Sequence, residues 1–472
     1  MTPINSLILV LSCSIFYFAL ARNEFVHKPN EKALHYHTLQ PSSLLPSSTC
    51  IPSVKGDKKK GLLEVVHKHG PCSTFSEDMV NPLTVDEILT HDQSRVDSIR
   101  ARLTIKKGET ETLGSKATLP AESGRTIGSG NYIVTVGLGT PKKDLSLEFD
   151  TGSDLTWTQC EPCVVSCYMQ KEPIFAPSAS STYSNISCTS PECAELVSAT
   201  GFTPGCTSGT CVYGIQYGDK SFTVGFFGKE KLTITPNDIV NDFYFGCGQD
   251  NEGLFNGSAG ILGLGRDKLS IVSQAATQYG KVFSYCLPST SSDTGYLTFG
   301  SSEVSSNVTY TPFSKDNFFY GLDLQAIYVG GTKLEISPTV FQTSGMIIDS
   351  GTVITRLPPT AYTALREAFR AQMTQYKLTE GIPKAFDTCY DFTNTPTVTI
   401  PIISMLWAGN VLVDTAPSGI LYFNRISQVC LAYFANSDDS QLGIYGNTQQ
   451  KTLQVVYDVN AGKLGFAQGG CA

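Results

Sequence analysis

Histidine is missing from the whole of the chain beyond His91: all six, His27, His35, His37, His67, His69 and His91, lie upstream. That absence excludes a Ser-His or Cys-His hydrolase and a histidine-ligated zinc site in residues 92–472, unless the upstream segment supplies the base. Charge is also scarce, at 16% of residues, and it is segregated. Residues 1–21 carry no charged side chain. Residues 22–116 hold 14 Lys and Arg, including the run Lys58-Lys59-Lys60, against 12 Asp and Glu, so with a formal total of −8 the rest of the chain is strongly acidic. An acidic body of this kind is repelled by phosphate, and nucleic acid is not an expected partner. Long apolar runs are lacking too. The one from Leu7 to Leu20 is too short for a comfortable membrane span, and no later segment looks transmembrane.

That run ends in Ala19-Leu20-Ala21, a small-x-small pattern, so residues 1–21 are expected to be a signal peptide whose removal leaves no membrane attachment. The missing basic start leaves a retained anchor or an organelle transit peptide open. Fifteen cysteines agree with an oxidising compartment. Cys13 lies in the leader, Cys50 and Cys72 lie in the segment after it, and the twelve from Cys160 to Cys471 could form six disulfides. Asn185, Asn256 and Asn307 head sequons and are candidate glycan sites in the secretory pathway.

What is present is mostly strand-like. Composition is 41% apolar with 42 Gly and 24 Pro, which suits short strands joined by turns and predicts an all-β fold. Upstream, Thr84 and Glu87 form a capping-box signature, and Val85, Ile88, Leu89, Val96, Ile99 and Leu103 recur at helical spacing. They predict one amphipathic helix, either docked or lying on the surface. After a Gly/Ser-rich joint at Gly124 to Gly130, alternation over Tyr132 to Val136 and Leu145 to Phe149 predicts strands, and a second helix is expected over Thr360 to Met373.

The strongest organisational feature is an internal echo. Leu147-Glu148-Phe149-Asp150-Thr151-Gly152-Ser153 is matched by Met346-Ile347-Ile348-Asp349-Ser350-Gly351-Thr352, and each is followed by an apolar pair with glycine, Ile261-Leu262-Gly263 and Ile444-Tyr445-Gly446. Two similar lobes follow. Two aspartates sharing a water cannot both ionise cheaply, so the pair keeps one proton at acidic pH and supplies a base and an acid together. Such chemistry hydrolyses a peptide bond without a cofactor or metal. Gly152 and Gly351 let the two loops approach closely. Thr151 and Ser350 can hydrogen-bond the opposite loop, and Ser153 and Thr352 can satisfy the outer carboxylate oxygens.

These paired motifs resemble the pepsin-type aspartic peptidases, more closely the atypical plant branch that includes the nepenthesins and apoplastic and chloroplast-nucleoid members. The resemblance implies a bilobal fold of two β-barrel-like lobes around a central cleft. It divides the chain into a prosegment at 22–118, an N-terminal lobe at 119–300 and a C-terminal lobe at 301–472. It implies a monomeric, secreted, acid-acting endopeptidase of the apoplast, with the chloroplast or vacuole as alternatives, made as a zymogen whose prosegment inhibits it. Its substrates are polypeptides, and plant defence is its expected setting. By the same resemblance Asp150 and Asp349 are catalytic, Tyr217 is the flap tyrosine, and Trp157 is the indole bonded to it. Lys220 departs from the commoner glycine at the flap tip, which leaves subsite preference open.

Cys160, Cys163, Cys167, Cys188, Cys193, Cys206 and Cys211 are similar to the cysteine-rich insertion of the nepenthesins, with a four-thiolate zinc site as the competing reading. Cys389 and Cys430 resemble the C-lobe bridge. Two rival functions stand beside the peptidase: an inactive inhibitor-like relative, and a plastid nucleic-acid binder. The segregated histidines also suggest a segment that blocks the cleft near neutral pH and loosens in acid, the alternative being a separate protease cutting near Lys116 or Arg125.

Overall fold

The alternating and β-branched segments form strands as expected: Tyr132–Leu138 pairs antiparallel with Lys143–Asp150, and both are almost wholly buried. In the computed structural model the described residues are 35–52, 61–75, 85–106, 132–217, 221–253, 255, 257–315, 318–382 and 386–471. All of them belong to the compact unit that begins at His35. The leader at 1–21, Thr84, Lys116, the joint with Arg125, Asn256 and the flap tip with Lys220 lie outside the described residues. Among the described residues no helix is long and apolar enough to cross a membrane.

The internal echo is a repeated strand arrangement. Gly260–Gly263 runs parallel to Lys143–Asp150, with Leu262 opposite Phe149 and Gly263 opposite Asp150, and antiparallel to Trp157–Gln159. In the second half, Gly443–Tyr445 runs parallel to Met346–Ile348 and antiparallel to Thr355–Leu357. Strands paired in this way are covered on both faces, which is why they are continuous apolar runs. Glycine is required where the loops cross: a Cβ on Gly263 would stand 2.2 Å from the Asp154 carbonyl oxygen, and one on Gly446 would stand 2.8 Å from the Ile354 carbonyl carbon.

The two halves meet in a shared sheet. Val282–Cys286 pairs with Thr294–Phe299 on one side and with the C-terminal Gln454–Asp458 on the other. Phe283 stacks on Tyr457 at 4.3 Å between ring centres, in a core that runs through both lobes. This is the bilobal, mainly β architecture expected, and the helix Pro359–Gln372 lies where it was anticipated.

The upstream residues are woven into this body. Leu62–His67 inserts between Thr294–Phe299 and the start of Tyr132–Leu138, while Tyr36–Leu39 pairs antiparallel with Val398–Pro401 in the C-terminal half. The helix Val85–Lys106 (α1) forms over the expected span, and its Leu89, Val96 and Ile99 are buried, so it is docked. The cysteines from Cys160 onward pair as Cys160–Cys247, Cys163–Cys167, Cys188–Cys206, Cys193–Cys211, Cys286–Cys471 and Cys389–Cys430, and Cys50–Cys72 adds a seventh bridge. The thiolate-zinc alternative is thereby set aside in favour of disulfides.

Candidate active site

Asp150 and Asp349 each stand where an apolar strand runs out beside its parallel partner. Both carboxylates are buried at the interface of the two halves, at 3% and 0% exposure. The following hydroxyls cross-link the loops reciprocally: the Ser350 N–H donates to Thr151 Oγ1 at 2.9 Å, and the Thr151 N–H donates to Ser350 Oγ at 3.0 Å. Ser350 Oγ also lies 3.3 Å from the Phe149 carbonyl, where its proton can be donated. Each glycine N–H donates to its own aspartate, Gly152 to Asp150 Oδ1 at 2.8 Å and Gly351 to Asp349 Oδ1 at 3.2 Å. Only hydrogen fits on these glycines, since a Cβ on Gly152 would lie 2.7 Å from Asp349 Oδ1.

The outer oxygens differ from expectation. Thr352 Oγ1 donates to Asp349 Oδ2 at 2.5 Å. The matching bond from Ser153 to Asp150 is not made: Ser153 Oγ and Asp150 Oδ2 are both buried without a hydrogen-bond partner among the described residues. Gly152 N and an incoming cation both engage Asp150 through Oδ1.

That cation is Arg95 of α1. Its Nη2 lies 2.5 Å from Asp150 Oδ1 and 2.9 Å from Asp349 Oδ1, and its Nε lies 2.8 Å from Asp349 Oδ2. Burial works against the guanidinium charge, but the two carboxylates outweigh it and hold its pKa above the ordinary value. For Asp349, burial pushes the pKa up, while the charge and hydrogen bonds of Arg95, with those of Thr352 and Gly351, reverse that and hold the carboxyl below its ordinary range. A buried cation bonded to both carboxylates occupies the space where a shared water and a scissile carbonyl would have to lie.

Around this centre α1 makes further polar contacts. Arg102 Nη1 donates to the Gly152 carbonyl at 3.1 Å, and Arg100 Nη2 donates to Asn436 Oδ1 at 2.6 Å. On the other side Trp157 Nε1 donates to Tyr217 OH at 2.9 Å, and the Tyr217 N–H donates to the Ser221 carbonyl to close the hairpin base. Asn185 and Asn307 are exposed. Among the described residues no group of three or more His, Cys, Asp and Glu is arranged to hold a metal.

Arg95 and its neighbour Asp92 were not singled out in the sequence, yet a signal was there. They lie on the same stripe as Ile88, Leu89, Val96 and Ile99, and a charge inside a buried helical stripe needs a partner.

Comparison with known proteins adds a family. Residues 132–301 match the family described as xylanase inhibitor N-terminal, and residues 319–468 match the one described as xylanase inhibitor C-terminal. An aspartyl protease family protein of Arabidopsis thaliana is 55% identical over 94% of each chain. Aspartic proteinase nepenthesin-2 of Nepenthes gracilis is 38% identical over 78% of this chain and 85% of its own. Among solved structures, basic 7S globulin from soybean aligns with a TM-score of 0.57 at 19% identity, covering 72% of this chain and 91% of that one, a likeness of fold alone.

Proposed function

The chain belongs to the plant pepsin-like aspartic proteases of the nepenthesin-like branch and is a peptidase, and from that premise we propose that Asp150 and Asp349 are its catalytic pair and that residues 22–118 are an inhibitory prosegment. In the working enzyme one aspartate, ionised, takes a proton from the attacking water while the other, protonated, assists the carbonyl oxygen. The reciprocal Thr151 and Ser350 bonds would hold the carboxylates at fixed separation. Tyr217, anchored by Trp157, would close over the substrate and exclude water.

The observation that carries this reading is the seat of Arg95 between the two carboxylates. A guanidinium there engages both aspartates and fills the reacting position, so the intact chain is expected to be a zymogen. Secretion, glycans at Asn185, Asn256 and Asn307, a monomeric state, polypeptide substrates and a part in plant defence complete the proposal. Secretion rests on the leader and the disulfide-rich body and the glycans on the sequons, whereas the substrates, the monomeric state and the part in plant defence rest on the family resemblance. The decisive experiment is cleavage of a denatured protein at acidic pH by the matured enzyme, beside Asp150→Asn and Asp349→Asn. Activity in the wild type with silence in both variants supports the pair. Silence in all three after verified removal of residues 22–118 favours an inhibitor-like role.

A further inference from the structure

One helical turn before Arg95, Asp92 of α1 occupies a second built pocket. Its carboxylate is wholly buried and accepts the Val353 N–H on Oδ1 at 2.5 Å, and the Ile354 N–H at 3.3 Å and Arg356 Nη2 at 2.8 Å on Oδ2. All three partners belong to the loop and strand that leave Asp349. Arg356 is itself 5% exposed, with its Cζ 4.5 Å from the centre of the Phe434 ring, a contact that does not involve α1. Its Nη1 donates to Gln93 Oε1 at 3.0 Å, and its Nε is buried with no hydrogen-bond partner among the described residues. Two backbone N–H groups and a stacked guanidinium converging on one point make a carboxylate receptor. Of the groups that fill it, only Asp92 and Gln93 come from α1.

We propose that, once α1 has left the cleft, this pocket of Arg356 and the Val353 and Ile354 amides is the enzyme's specificity subsite and selects an acidic side chain of the substrate. The inference rests on the peptidase reading above. Asp92 then acts as an internal substrate mimic. The helix places it about 4.5 Å along the axis from Arg95; an extended peptide advances about 3.3 Å per residue. The selected residue is thus one or two positions from the scissile bond. A neutral side chain there would not replace the charge-assisted bond that Asp92 makes to Arg356.

The test uses matured enzyme at about pH 5.5, where a peptide Glu is ionised, and peptides that differ only by Glu or Gln at each of three positions on either side of the cut. Glu is expected to raise kcat/KM about 10- to 100-fold at one position, with a ratio near one elsewhere. The preference should fade as the assay pH falls below about 4. In Arg356→Gln the Glu-to-Gln ratio should collapse toward one, and Arg356→Lys should restore part of it. A wild-type ratio near one at every position overturns the proposal, with no variant needed. Binding of the same peptide pairs with a reduced, uncleavable bond, followed by fluorescence anisotropy on the matured chain, separates the two readings. If no peptide is cut but the Glu form binds more tightly, the subsite stands and the peptidase reading falls. Cleavage with equal binding of both forms leaves the peptidase and removes the subsite.

Discussion

Lys68 donates its Nζ to Oε1 of Glu148, two residues before Asp150, in an ion pair whose side chains are 2% and 4% exposed. The pair joins the upstream strand to the strand that delivers the first aspartate. Ser258 Oγ also donates to Glu148, at 3.3 Å.

Breaking a buried pair leaves its partner charged and unsatisfied. Lys68→Met or Glu148→Gln is therefore expected to cost about 3–5 kcal/mol, and the double change less than the sum of the two. Denaturant unfolding of the intact chain checks this. Equal stability of Lys68→Met and wild type would show that the pair is dispensable.

Arg95 is bound through charge-assisted bonds to both aspartates. Arg95→Leu in the intact chain should loosen α1 and increase cleavage of a fluorogenic peptide before any processing, by about 10-fold or more. An intact Arg95→Leu chain as inactive as wild type would place inhibition in the packing of Val96 and Ile99 instead.

Three upstream histidines set a pH dependence for docking. Burial, reinforced by His69 and Lys451, holds His67 well below its ordinary pKa; burial with Lys68 lowers His69 to about 3; and burial lowers His37 against the pull of Thr415 and Asp414. The free segment, with histidines near 6.5, takes up protons that the docked one refuses. Docking is therefore strongest above about pH 6.5 and weakens as pH falls from there toward 3. Asp92 and Glu64, raised first by burial, work in the opposite direction, because the docked segment takes up their protons more readily than the free one. Protection of α1 against hydrogen exchange, taken relative to the intrinsic rate at each pH, should fall between pH 7.5 and pH 5, and His69→Leu should move the change to lower pH. Constant protection over that range would remove the histidine trigger.

The Tyr217 hydroxyl accepts a hydrogen bond from Trp157 Nε1 at the base of its hairpin. Tyr217→Phe keeps the ring against Phe255, whose centre is 5.5 Å away, and removes only that bond. A fall in kcat/KM of about 3- to 10-fold is expected, together with faster exchange at the hairpin base. An unchanged kcat/KM would leave Tyr217 a packing residue.

The sequence by itself determined the strands that end in Asp150 and Asp349, their apolar-pair partners and the position of α1. It could do so because alternation, continuous burial and helical spacing are local patterns written in residue order. The pairing of Thr151 with Ser350 was also legible, since a hydroxyl beside a glycine in both copies has few other uses. Tertiary structure alone decided the rest. Which cysteine meets which depends on strand register. The asymmetry between bonded Thr352 and unbonded Ser153 is visible only in the folded loops. That Arg95 reaches the aspartates, Asp92 meets Arg356 and Lys68 meets Glu148 depends on contacts between residues 55, 264 and 80 positions apart. Charges are long-range and carry no periodicity, so only the fold, by burying them, could name their partners.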